Sequence, residues 1–106
     1  MTAMDAQAMA RQAGKAAALL KELANKQRLL ILCALFEGEQ SVTALNARVA
    51  LSQSALSQHL ARLRDAGLVR TRREGQLIFY ALAVGEVAAV LQVLHTLYCV
   101  QESGPQ

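Results

Sequence analysis

The sequence predicts a mainly α fold in one domain, with its elements in the order α-α-α-α-β-β-α. Three observations carry that reading. Hydrophobic residues make up 54% of the chain while aromatics are only 4%, so Leu and Ala do the packing, which favours helices. Proline occurs once, at Pro105, so no interior position forbids a long helix. Two Ser-led segments with apolar residues at three- and four-residue spacing follow one another closely, and a Gly-centred pair of strand-like runs comes next. The 106 residues fit a single domain over 1–102, with a frayed tail over 103–106. A domain of this size is only marginally self-sufficient, so an oligomer that buries further apolar surface is expected.

The first helix spans Asp5 to Leu23, where Ala16, Leu19, Leu20 and Leu23 form one apolar stripe. Asn25 starts a second helix that runs to Phe36, with Leu29, Leu32, Cys33 and Phe36 as its expected inner positions. Gly38, after Glu37, suits a left-handed cap. Ser41 is the N-cap of a short third helix to Val49, which points Val42, Leu45 and Val49 one way. Ser52 caps the fourth helix, whose buried stripe is Leu56, Leu60 and Leu63, and Gly67 closes it. Leu68 to Arg73 and Gln76 to Leu82 read as strands, with Glu74-Gly75 as a two-residue hairpin turn between them. Ile78, Tyr80 and Leu82 alternate on one face. Gly85 and Glu86 open a last helix to Val100, with Val87, Val90, Leu91, Leu94, Leu97 and Tyr98 as a wide apolar face. The third and fourth helices, joined at Ala50-Leu51, form a helix-turn-helix, and the hairpin is its wing.

Charge placement gives this arrangement a chemistry. The formal net charge is +3 and the isoelectric point is about 9.2. The excess sits beside the fourth helix, where Arg62, Arg64, Arg70, Arg72 and Arg73 are interrupted only by Asp65 and Glu74. Opposite the leucine stripe of that helix fall Ser54, Gln58, Ala61 and Asp65, flanked by Ser57 and Arg62. Gln can pair with adenine, Arg with guanine, and Ser with several base edges, while Ala61 leaves room for a thymine methyl. Ser52 and Gln53 lie at the helix N-terminus, which favours a phosphate. His59, at the edge of the buried face, reads as a packed or phosphate-contacting side chain. Arg72 and Arg73 at the hairpin tip, with Gln76 across from them, suit an adjacent groove or backbone. The expected partner is double-stranded DNA. A solvated helix face and a charged edge strand are the plainer readings of the same residues taken singly.

The apolar run Ala16 to Leu20 is short and flanked by Lys15 and Lys21, and no stretch approaches the roughly 20 apolar residues of a membrane span. The expected location is cytoplasmic, with no membrane partner. In a reducing compartment Cys33 and Cys99 are packing residues, metal ligands or a redox pair. No Ser/His/Asp set, paired carboxylates, Gly-rich phosphate loop or Cys-x-x-Cys dithiol occurs, so neither catalysis nor a cofactor is expected.

Nearly the whole chain resembles the winged-helix repressors of the ArsR family. The resemblance rests on LANKQRLLILCALFEGEQSVTAL, then LSQSALSQHLARLRDAGLV, then TRREGQLIFYAL. It implies a homodimer formed through the first and last helices, with both fourth helices in major grooves of an inverted-repeat operator. Metal-sensing members carry Glu-Leu-Cys-Val-Cys on the third helix, where this chain has Ser41-Val42-Thr43-Ala44-Leu45. Their second type of site uses Asp and His of the last helix, which here offers Glu86, His95 and Cys99. No metal is therefore expected.

The resemblance is closest to a thiol- and persulfide-sensing branch, matched by Leu32-Cys33-Ala34-Leu35 and Leu97-Tyr98-Cys99. It implies a repressor that releases DNA when reactive sulfur or an oxidant modifies one thiolate and the other resolves it into a disulfide or polysulfide. His95, one helical turn before Cys99, either lowers the pKa of that thiol when protonated or covers the dimer surface. The alternatives are a regulator or anti-repressor with structural cysteines, a metal-sensing repressor, and a winged helix that binds protein.

Overall fold

In a computed structural model, residues 4–83 and 85–100 are described. The tail expected over 103–106 lies outside them. The elements are α1 (Ala6–Leu23), α2 (Lys26–Phe36), β1 (Gln40–Ser41), α3 (Val42–Arg48), α4 (Gln53–Asp65), β2 (Val69–Glu74), β3 (Leu77–Leu82) and α5 (Gly85–Tyr98).

Side-chain caps start the helices where the sequence places them. Asp5, Asn25, Ser41 and Ser52 accept from the backbone N–H groups of Ala8, Arg28, Ala44 and Ala55 at 2.9 to 3.1 Å. The core gathers Ile31, Leu32 and Leu35 of α2, Leu45 of α3, Leu56, Leu60 and Leu63 of α4, and Val87 and Leu91 of α5. Each of these is almost completely withdrawn from water. At about 0.8 kcal/mol per buried methylene, this shared cluster is the main force holding α3 and α4 to α2.

Four expectations are corrected. The inner face of α2 is Arg28, Ile31, Leu32, Ala34 and Leu35, while Cys33 and Phe36 are exposed. At about 100° per residue, Cys33 lies opposite the Ile31–Leu35 line. In α1, Leu23 is buried but Leu20 is 55% exposed, so the expected stripe is only partly covered. Gly38 has φ +138°, away from the roughly +57° of a left-handed cap. The hairpin register pairs Glu74 with Leu77, so the turn is Gly75-Gln76 and not Glu74-Gly75. Gly75 takes φ +62° as the first turn residue while Gln76 does not have positive φ, the φ pattern of a type II′ turn. Gln76 therefore caps the turn, and Arg72 and Arg73 face Phe79 and Ile78.

The sheet also has a strand that the sequence reading lacks. β1 pairs antiparallel with β3, giving the order β1-β3-β2. Ser41 ends β1 and caps α3 at once. The helix-turn-helix is thereby fastened to the root of the wing.

Candidate nucleic-acid interface

α4 buries Leu56, Leu60 and Leu63 and turns Ser54, Ser57, Gln58, Ala61, Arg62 and Asp65 to solvent. Leucines every three or four residues fix that orientation, because rotating the helix would expose them. Ser52 and Gln53 are exposed at the N-terminal end, and His59 is half-buried. The Ser52 hydroxyl is engaged by the cap to Ala55 and lies 3.4 Å from the Ser54 hydroxyl. The turn before α4 is pinned by the Asn46 amide, which donates to the Leu51 carbonyl at 3.0 Å.

A Schellman motif joins α4 to the wing. Leu68 N–H donates to the Leu63 carbonyl at 3.0 Å and Gly67 N–H to the Arg64 carbonyl at 2.9 Å. Gly67 adopts φ +78°, which L side chains resist. Both Leu63 and Leu68 are buried, so the junction is anchored by its apolar contact as well as its hydrogen bonds. This fixes where β2 leaves α4, and hence where the wing stands beside the exposed face of α4.

Three of the arginines singled out in the sequence are engaged within the chain. Arg70 donates from Nη1 to the Leu82 carbonyl at 3.1 Å, and Arg62 and Arg72 hold carboxylates. Arg62 donates from Nε to Glu22 at 2.7 Å and from Nη2 at 3.3 Å. The carboxylate holds the Arg62 guanidinium pKa above its ordinary value, and Arg62 in turn lowers that of Glu22. Arg72 clasps Glu39 through two bonds of 3.1 and 2.8 Å, reaches Glu74 at 3.1 Å, and lies 4.6 Å over the Phe79 ring. Its pKa is likewise raised and that of Glu39 lowered. Arg72 thus ties the wing to the segment entering β1. Arg73 and Gln76 are exposed at the tip. Arg64 and Arg73 hold no ion pair among the described residues. The sequence reading missed Glu22 and Glu39, because nothing local marks which carboxylate a distant arginine will meet.

Cys33 and Cys99 are both exposed thiols. Cys33 opens on a cleft of about 340 Å³ with Leu30, Ala34 and Val49 in its walls and the Glu37–Arg48 ion pair at its rim. These apolar walls withdraw water from the sulfur, and burial is the first cause of its raised pKa. The charge of Cys99 is the second. The two thiols, distant in sequence, are carried by α2 and by the turn after α5, and these two helices pack against one another. Cys99 N–H donates to the His95 carbonyl at 2.8 Å, continuing the turn after α5.

Exposed apolar side chains concentrate on the terminal helices. Met9 and Leu20 of α1 and Val93, Leu97 and Tyr98 of α5 face solvent in the single chain. No helix among the described residues is long and apolar enough to cross a membrane.

The model of bacterial regulatory proteins of the arsR family matches residues 25–71. The transcriptional activator HlyU of Vibrio cholerae is 54% identical over 96 residues, covering 91% of this chain and 89% of that protein. The crystal structure of the transcriptional repressor BigR from Xylella fastidiosa aligns with a TM-score of 0.80 or above, at 0.87, with 40% identity, over 91% of this chain and 98% of that one. A homodimeric winged helix-turn-helix DNA-binding domain from Mycobacterium bovis, described as a possible ArsR-family regulator, aligns with a TM-score of 0.73 and 31% identity, over 92% of this chain and 89% of that one.

Proposed function

The chain belongs to the arsR family of bacterial regulatory proteins and is a DNA-binding transcriptional regulator, and we propose that it is a homodimeric repressor that releases its operator when Cys33 and Cys99 become bridged. The observation that carries the DNA-binding part is the division of α4 into a fully buried leucine stripe and an exposed face of Ser54, Ser57 and Gln58. That face enters the major groove and reads base edges. Ser52 and Gln53 at the helix start, His59 and Arg62 along it, and Arg72, Arg73 and Gln76 of the wing complete the DNA-binding region, by contact or by holding its parts in place. Arg73 carries the wing's phosphate contact, since Arg72 is occupied by Glu39 and Glu74.

The homodimer is supported by the apolar surface on α1 and α5 and by the homodimeric relative. A two-fold axis through these helices directs both α4 helices to one side, and the operator is then an inverted repeat with half-sites about one helical turn apart.

The switch is supported by the exposure of both thiols and by their placement on α2 and at the end of α5, two helices that pack together. A persulfide R–S–SH is the inducer class. The Cys99 thiolate attacks its outer sulfur, forming Cys99–S–SH and releasing the thiol RSH after protonation. The Cys33 thiolate then attacks Cys99 Sγ and expels hydrosulfide, leaving a disulfide. When both cysteines carry persulfide, the outer sulfur of one displaces hydrosulfide from the other and the bridge holds three sulfurs. With peroxide, Cys99 sulfenic acid forms first and Cys33 expels water. The raised pKa of Cys33 suits it to the second step, where the electrophile is already at hand. Either bridge ties α2, which supports α4, to α5 at the dimer surface, and so biases the spacing of the two α4 helices.

The test is a titration of duplex DNA from immediately upstream of its own gene, with reduced protein and with protein treated with glutathione persulfide. Tight, salt-sensitive binding by the reduced form, lost on treatment and restored by dithiothreitol, is the expected result. Cys33→Ser and Cys99→Ser each keep DNA affinity and lose the response. A Cys33→Ser protein that still releases DNA on treatment rejects the paired-thiol switch. Equal binding in both states leaves the DNA-binding regulator without a thiol switch.

A further inference from the structure

Glu22 stands where α1, α2 and α4 meet, and its carboxylate is shared by two arginines of unlike surroundings. Arg28 is 6% exposed. Its Nε donates to the Glu22 backbone carbonyl at 2.7 Å and its Nη2 to the Lys21 carbonyl at 3.3 Å. It thereby gives the Glu22 carbonyl at the end of α1 a donor and adds a second one to the Lys21 carbonyl, which also accepts from Ala24 N–H at 3.3 Å. The same Nε lies 3.6 Å from the Glu22 carboxylate. The other partner, Arg62, reaches across from α4 through two hydrogen bonds. The Glu22 side chain is only 14% exposed, against 47% for that of Arg62. A fixed anion therefore holds the more mobile cation, and its lowered pKa keeps it ionised at neutral pH.

We propose that Glu22 and Arg62 form a strut that sets the orientation of the DNA-reading helix, and that Arg62 is a positioning residue and does not contact DNA. The strut rests on the DNA-binding reading given above and deepens it. α1 and α4 each pack on other elements, α1 on α2 and α4 on α2 and β2, so this ion pair joins two helices otherwise linked mainly through α2. Its consequence is asymmetric. A guanidinium whose Nε and Nη2 edge is engaged by a carboxylate has its charge compensated and its bidentate edge turned away from a phosphate, whereas its removal lets the C-terminal half of α4 move relative to α1. Because α1 carries part of the dimer surface, the strut also transmits the arrangement of the dimer to the reading face.

Salt dependence separates positioning from contact. Loss of one phosphate contact lowers the slope of log affinity against log salt by about 0.9. Arg62→Met is expected to weaken binding to the upstream duplex about fivefold, the upper range for a partly exposed ion pair, with the slope unchanged. Glu22→Gln is expected to give the same loss and the same slope, and the double variant no more than either alone. Arg28 keeps its two carbonyl partners in Glu22→Gln, so the fold survives, and far-ultraviolet circular dichroism checks that it does. A lower slope in Arg62→Met, tighter binding by Glu22→Gln, or Arg62→Met binding equal to the parent overturns the strut. Amide exchange of α4 in the DNA-free protein supplies an independent reading. It should quicken in both single variants and stay unchanged in Arg64→Met. If the parent chain binds no duplex in a salt-dependent way, the DNA-binding reading fails while this exchange still decides the strut, with unchanged exchange in both variants rejecting it.

Discussion

α4 and α2 lie against one another in the same core, yet they differ in how plainly their sequences display it. α4 has leucines on one side and Ser, Gln, Arg and Asp on the other. Its phase about its own axis can be read directly, because only one rotation buries the leucines. α2 reads KQRLLILCALF and is apolar on nearly every side beyond its first turn. Several rotations would bury comparable surface, and the observed one leaves Leu30 and Phe36 exposed at 45% and 44%. An apolar outer face in so small a chain is surface held for a further contact. A helix with one polar face declares its orientation through contrast, whereas a helix with two apolar duties conceals it. The observed rotation of α2 also changes what Cys33 is. At an inner position it would be inert packing, and on the outer face it is available for chemistry.

The largest expected effect tests that contrast directly. Leu60→Ala removes a side chain that is 1% exposed in the shared core, and it is expected to destabilise the protein by about 2–5 kcal/mol. Cys33→Ala, on the exposed face of α2, is expected to change stability by no more than about 0.5 kcal/mol. Urea unfolding at one fixed protein concentration measures both, since a dimer's stability depends on concentration. A Cys33→Ala loss approaching that of Leu60→Ala would place the thiol inside the core and break the comparison.

The same contrast explains which parts of the molecule were legible. The four helix starts, the α4 stripe and the αββ order at the wing depend on local chemistry: a capping oxygen, a leucine period, a glycine at positive φ. The order of elements and the polar reading face followed from these. β1 did not, because two residues carry no periodicity and Ser41 already had a plain role as a helix cap. The sequence sets the turn one residue early, since a Glu-Gly pair and a Gly-Gln pair both put a glycine where positive φ is needed. The engagement of Arg62 by Glu22 and of Arg72 by Glu39 joins residues far apart in the chain. No local pattern announces such pairs, so a cation that looked available for phosphate proved to be structurally employed.

A smaller effect is expected at the start of the legible helix. Ser52→Ala removes the oxygen that accepts from Ala55 N–H at 3.1 Å, and should lower stability by about 1 kcal/mol. On the proposed DNA-binding arrangement, it should also weaken DNA binding more than this loss implies at temperatures where the protein stays folded, because the fraying end of α4 is the end proposed to enter the groove. Ser41→Ala, which uncaps α3, is the matched control. If the two substitutions cost similar stability and have equal effects on DNA affinity, the N-terminal end of α4 has no special part in recognition.

The smallest effects lie at opposite ends of the pH scale and set the strut against the thiol. Glu22 has a lowered pKa, caused first by its hydrogen bonds from Arg62. Its contribution to stability is therefore present at neutral pH and is lost as pH falls below the ordinary carboxylate range through the lowered value. Glu22→Gln should flatten the acid limb of the stability profile. Cys33 has a raised pKa, caused first by burial and then by Cys99. Its contribution has the opposite sign: it is complete below the ordinary thiol range and is lost as pH rises through the raised value. The kinetic counterpart is measurable by alkylating Cys33 in a Cys99→Ser protein. The rate at neutral pH should fall below that of an unperturbed thiol and climb about tenfold per pH unit, following the thiolate fraction. Removing Cys99 should draw the Cys33 titration only part of the way back, because the apolar cleft remains. A profile that has already levelled off at neutral pH would make Cys33 the readier nucleophile, reverse the order of the two thiols in bridge formation, and move the first encounter with the inducer from α5 to α2.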